Sequence, residues 1–281
     1  MARYIVLVSS IIGSVWKFAK GVIADIPREA LLALSVAGVI GLAKLAWNRW
    51  RRRGFKKVFG ARASEYKLAF GSMVVRPDLL ILAAPSYRRL AQFPLAKIAR
   101  PDMAFSAQSV ASGCEIRAVA YVGSALNKEG RISSRVVTDD SIRQELDLDF
   151  VAFGAMSNLK TLDMFGNPAN DLADYDPTME CFVSKTDRSP LYARRSGFDY
   201  GIILKVHPTQ FPRRSWISCA GVGEWGTSGS AWFLANRWRE ISRQIRGDEK
   251  FLCVLEVTPG QDESSRSLGI RTMATQKLTT D

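Results

Sequence analysis

The stretch SWISCAGVGEWGTSGSAWFLANRWREI, residues 215–241, decides how this chain reads. SWISCA, 215–220, is a short apolar run with the length of a buried strand. The turn Gly221–Ser230 follows, and Ala231 to Ile245 then has the period of a helix. Leu234, Trp238, Ile241 and Ile245 form its apolar stripe, with Arg237, Glu240 and Arg243 outside it. FLCVLEV, 251–257, is the next strand. A strand–helix–strand unit of this kind predicts an α/β fold with a partly parallel sheet and covering helices, connected by a right-handed crossover.

Upstream, YGIILKV at 200–206 reads as a strand ended by His207-Pro208, since proline cannot continue a ladder. DFVAF at 149–153 is another apolar strand, and Gly154 to Asn158 leads from it into a short helix ending near Phe165. Phe59 to Val75 predicts two short strands, LLILAA at 79–84 a further apolar run, and IRAVAYV at 116–122 and Arg131 to Val137 strands. Asp140 or Ser141 is expected to cap a short helix through Leu146. Residues 166–198 read as a long loop excursion, and the polar sequence after Gly260 as a frayed tail. The expected divisions are 1–57, 58–146 (β-rich α+β), 147–260 (α/β, ligand-binding) and a flexible 261–281.

The charge is uneven. The 281 residues carry a formal +12, and residues 1–57 alone hold eleven Lys/Arg against Asp25 and Glu29, leaving +3 for the remainder. Much of that excess flanks ALLALSVAGVIGLAKLAW, 30–47, whose eighteen residues would span about 27 Å as a helix, close to a hydrocarbon core. Trp47 and Trp50 suit an aromatic belt. Arg49 to Lys57 places six basic residues in nine positions, a positive-inside signal that puts everything after it on the cytoplasmic face. The chain is therefore expected to open with a membrane helix or helical hairpin. Tyr4 to Val15 would be the hairpin's first span, with an interfacial helix and a signal peptide as alternatives. A buried core helix followed by a solvated basic face is the reading without a bilayer.

Gly221, Gly223 and Gly226 satisfy G-x-G-x-x-G between a predicted strand and a predicted helix. Glycine permits positive φ and close approach of a ligand, and a helix N-terminus offers unpaired amides to an anion. Thr227 and Ser228 add hydroxyls, one as N-cap and the other as a phosphate contact. The unit 215–257 resembles the Rossmann dinucleotide fingerprint. It departs from it in lying near the chain's end, in the bulk of Glu224 and Trp225, and in lacking an acid about 20 residues beyond the glycines. Glu256, the nearest strand-end acid, lies thirty residues beyond Gly226. These departures favour a phosphate or nucleotide-type anion over NAD, and a tight structural turn is the competing reading. Gly154, Ser157 and Asn158 form a second candidate wall. If the two preceding strands are parallel, both loops share one sheet edge.

Catalytic and metal signatures are sparse. The chain has one histidine, His207, and four cysteines (114, 181, 219 and 253) with no CxxC spacing, which read as reduced. No G-x-S-x-G, H-E-x-x-H or G-x-x-x-x-G-K-[ST] string occurs. The sequence names no cofactor. Nucleic acid is disfavoured as a partner, because Arg49–Lys57 suits anionic lipid and Arg237–Arg246 is interleaved with core residues. The functional expectation is a membrane-anchored cytoplasmic sensor or effector that binds a small anionic ligand, a nucleotide, with homo-oligomerisation as one output. An enzyme acting on a nucleotide or phosphorylated metabolite at the same pocket, and a membrane scaffold that binds protein, are the alternatives.

Overall fold

The computed structural model of the chain describes residues 28–71 and 112–272, and for residues 28–35 the backbone alone. The readings made on Tyr4–Val15 and Leu79–Ala84 lie outside the described residues. Two compact units divide the chain, 1–51 and 52–281.

Helix α1 runs from Arg28 to Phe59. Every described side chain from Val36 to Trp50 is exposed, including Val39, Ile40, Leu42, Leu45 and Trp47. Among the described residues no helix is long and apolar enough to cross a membrane. The membrane helix or helical hairpin expected from the sequence is therefore not supported by the structure.

The last turns of α1 belong to the second unit. Phe55, Val58 and Phe59 are buried there, Phe55 stacked on Phe59 at 4.3 Å and set edge-on to Trp238 at 5.3 Å. Gly60 ends the helix at φ +105, its amide returning to the Lys56 carbonyl at 2.8 Å. A Cβ at Gly60 would lie 2.3 Å from the Ser215 hydroxyl, so this αL cap also requires glycine for space.

The second unit is built on a seven-stranded mixed sheet. In chain order its strands are β1 (Glu65–Phe70), β2 (Ser133–Thr138), β3 (Phe150–Phe153), β6 (Asp199–Val206), β7 (Trp216–Gly221), β8 (Phe251–Thr258) and β9 (Gln261–Thr272). They lie in the order β2-β1-β3-β7-β6-β8-β9. The first four are mutually parallel, and β6 runs against both β7 and β8. Strands from 58–146 and from 147–260 thus share one sheet.

Alternation along each strand feeds two cores. Val151, Phe153, Ile203, Ile217, Cys253 and Leu255 face the first, which is covered by the end of α1, α2 (Gly113–Ala125), α4 (Glu224–Asn236) and α5 (Trp238–Gln244). Phe150, Ala152, Ile202, Leu204, Trp216 and Val254 face the second, under α3 (Leu159–Gly166) and the hairpin β4 (Ala173–Asp176)–β5 (Cys181–Ser184). All four cysteines are free and buried.

Five local expectations change. IRAVAYV is helical, not extended: Ser112 caps α2 through its side chain, and Cys114, Ala118, Val122 and Ala125 recur at helical spacing on the buried face. Phe59 closes α1, so one strand rather than two lies before Gly71. Asp139 caps only a single 3₁₀ turn at Asp140–Ile142. The excursion 166–198 contains the β4–β5 hairpin. The polar tail is largely β9, a twelve-residue edge strand paired with β8, in which only a few positions such as Asp262, Ser265 and Thr272 are buried. An edge strand can bury so little that its apolar signal vanishes.

Candidate functional site at the carboxyl edge of the sheet

Because β3 and β7 are adjacent and parallel, with Phe153 opposite Cys219, the two loops singled out by sequence leave neighbouring strands at one edge. Gly154 is held at φ +99, its amide donating to the Cys219 carbonyl at 3.0 Å. The carboxyl ends of β1, β2 and β8 and the starts of β6 and β9 lie along the same edge.

The glycine loop is tightly folded. A Cβ at Gly221 would meet the Thr227 amide nitrogen at 2.2 Å, and one at Gly226 the Tyr200 carbonyl oxygen at 2.2 Å. Helix α4 starts two turns earlier than its apolar stripe implies, and its N-cap is Gly223, which has no side chain to offer. Thr227 and Ser228 are therefore not caps. Asp199 supplies the missing group: one carboxylate oxygen accepts the Gly223 amide at 3.1 Å, the other the Gly226 amide at 2.7 Å. Two of the amides expected to face a ligand are held by this acid.

The hydroxyls are also placed internally. Thr227 is buried, and Ser228 donates to Asp262 at 2.5 Å while accepting from Arg117 at 3.2 Å. Asp262, at the start of β9, further accepts Arg117 Nε and the Tyr121 hydroxyl, each at 3.1 Å. Arg117 in turn lies over the Trp225 ring at 4.5 Å. Asn158 is fully committed. Its oxygen caps α3 on the Lys160 and Thr161 amides, and its nitrogen donates to the carbonyls of Ala69 and Phe153. Ser157, exposed, donates to Glu115 Oε1 at 3.4 Å.

Glu115 was not found from sequence. It is 4% exposed and sits where β1 and β3 end. Burial, with a contribution from the Asp139 charge, pushes its carboxyl up to about 7, against hydrogen bonds from the Gly71 amide and Ser157. The signal was present as S-x-x-E at Ser112–Glu115, a capping-box spacing hidden by the strand reading of the following residues. The Ser112 half forms, its hydroxyl accepting the Glu115 amide at 3.3 Å.

Elsewhere, His207 Nδ1 donates to the Arg214 carbonyl at 2.8 Å and the ring lies 3.5 Å from Asp248, a structural setting. Glu256 is held by Arg195 and Arg266, and Arg214 by Asp147 and Asp149. Burial raises the thiols of Cys114, Cys219 and Cys253, the last to about 12, leaving them poor nucleophiles. Among the described residues no group of His, Cys, Asp or Glu could hold a metal ion.

The class of protein defined so far is a mixed α/β fold with polar groups gathered at the carboxyl edge of a partly parallel sheet. No protein-family model matches the chain, nor does any curated protein or solved structure.

Proposed function

We propose that the chain is a membrane-anchored sensor or effector whose α/β unit, on the cytoplasmic face, binds a small anionic ligand of nucleotide type at the carboxyl edge of its sheet. The observation that carries the reading is the pairing of β3 with β7. It sets the Gly154–Asn158 loop beside the Gly221–Ser228 loop at the carboxyl edge, the edge on which open α/β sheets receive ligands. Gly154, Gly221, Gly223 and Gly226 let the two loops fold tightly against the chain's own groups, Ser157 offers a hydroxyl at their surface, and Asn158, Thr227 and Ser228 brace the wall from behind.

The anchor is supported by the exposure of apolar side chains all round α1 between Val36 and Trp50, next to Arg49 and Arg51–Arg53. A helix apolar on every side has no aqueous face, and a basic collar suits anionic headgroups.

Thermal-shift measurements on the full chain with mono-, di- and cyclic nucleotides test the ligand. Stabilisation without turnover supports the sensor, and absence of any shift leaves the protein-binding scaffold. Alkaline extraction tests the anchor, which fails if the chain is released. A second reading, an enzyme on the same ligand, is favoured by Glu115, whose carboxyl near 7 could hold or release a proton at neutral pH. Turnover would establish it.

A further inference from the structure

Strand β9 ends the sheet, and among the described residues no strand pairs with its outer side. Its twelve residues extend about 40 Å, twice the reach of the six-residue β2 at the other edge. A free edge of that length offers unpaired amides and carbonyls, a template for another strand. Folded proteins blunt such edges with lysine, proline or bulges. β9 has register shifts against β8 on either side of Arg266–Ser267, but it contains no lysine and no proline. A groove of about 450 Å³ opens beside it, between Ser267 and Leu268 on the strand and Phe233, Arg237, Glu240 and Gln244 on α4 and α5. Leu268 is exposed there, and a Cβ added at Gly269 would meet nothing within 4 Å.

The charges along β9 decide which strand fits. Glu263 and Arg271 are both exposed, and among the described residues neither side chain forms an ion pair or a hydrogen bond. Arg266, by contrast, is committed to Glu256. Glu263 and Arg271 lie four residues to either side of Ser267. A second β9 laid antiparallel about a two-fold axis at Ser267 sets each Glu263 opposite the partner's Arg271. It also brings the exposed Leu268 of each copy together beside the axis. A parallel, in-register arrangement would set like charge against like. Opposite charges across an antiparallel pair attract, and an isologous pairing closes on itself.

We propose that β9 is a dimerisation edge: the β9 strands of two copies of this chain pair antiparallel and join their sheets. The proposal is independent of the ligand reading above.

The test is sedimentation equilibrium of the full chain in a non-ionic detergent, where a dimer is expected. Glu263→Lys should weaken it by about tenfold, the scale of two cross-strand ion pairs turned repulsive, and Arg271→Glu should do the same. The double variant should return to within about threefold of the wild type. This rescue separates pairing at β9 from association through α1, which would be indifferent to both charges. Trapping with a short bismaleimide gives a second readout, because all four native cysteines are buried. Leu268→Cys should yield a covalent dimer, and Val136→Cys, equally open on β2, should not. A monomer at every concentration, a dimer indifferent to E263K, or trapping of V136C in place of L268C overturns the proposal. Should a charge variant fail to fold, the trapping alone decides.

Discussion

The carboxylate of Asp199 accepts the Gly226 amide at 2.7 Å and the Gly223 amide at 3.1 Å, so the first residue of β6 caps the helix that carries the glycine motif. Negative charge does sit at the start of α4, as the motif predicts, and the chain supplies it. Replacing Asp199 by Ala should cost about 1–2 kcal/mol, the worth of an N-cap. It should also make the melting temperature rise with added inorganic phosphate, which the wild-type chain should show weakly or not at all. A phosphate response of equal size in both would mean that Asp199 does not compete for these amides.

Glu115→Gln should stabilise the protein above neutral pH. The folded carboxyl titrates near 7 and an unfolded one near 4.5, so the folded state binds the extra proton between those values. Stability therefore falls as pH rises from about 4.5 to 7, by about 3 kcal/mol in all. A neutral glutamine escapes the loss. Urea unfolding should show E115Q the more stable at pH 8 and no different near pH 4.5. Equal stability at pH 8 would count against a desolvated carboxyl at this position.

Lys205 ties the end of α1 to the sheet. Its fully buried ammonium donates to the Lys57 carbonyl at 2.8 Å and pairs with Asp248 at 2.5 Å, while Asp248 accepts the Ala61 amide at 2.7 Å. Burial pushes the Asp248 carboxyl up, but His207, Lys205 and the Ala61 amide outweigh it and hold the group well below the usual carboxylate range. Asp248 thus stabilises the fold above about pH 4 and ceases to as pH drops below that. Lys205→Met should cost about 3 kcal/mol, because it strands a partly buried carboxylate, and should reduce the loss of stability on acidification. Denaturation at pH 7 and at about pH 2 measures both.

Truncation should separate the two units. A chain beginning at Arg52 keeps Phe55, Val58 and Phe59 in the first core and should unfold cooperatively, with no tendency to pellet with vesicles of neutral lipid. A chain beginning at Gly60 loses two buried phenylalanines, each worth about 3–5 kcal/mol when cut to alanine, and should not fold. Circular dichroism and sedimentation distinguish these outcomes.

Several elements were legible because their physics is local. The runs at 149–153, 200–206, 216–221 and 251–257 are largely apolar on both faces, as strands covered on both sides must be, and Asn158 carries an N-cap signature that the structure fulfils. That the two glycine loops share an edge also followed from parallel pairing. By contrast, β9 and the helix α2 depend on neighbours. β9 is recognisable as a strand only beside β8, and the residues of α2 alternate well enough to pass for a strand until Ser112 is seen capping them.

By itself, then, the sequence determined an α/β fold, its buried strands, and the glycines that let α4 begin tightly after β7, since length, apolar pattern and backbone freedom act within a few residues. Only the tertiary structure decided which groups meet at the carboxyl edge. Asp199 reaches the Gly223 and Gly226 amides across 24 and 27 residues, and Glu115 reaches Ser157 across 42. Strand order alone makes them neighbours, and strand order is set by how the whole sheet buries its two faces.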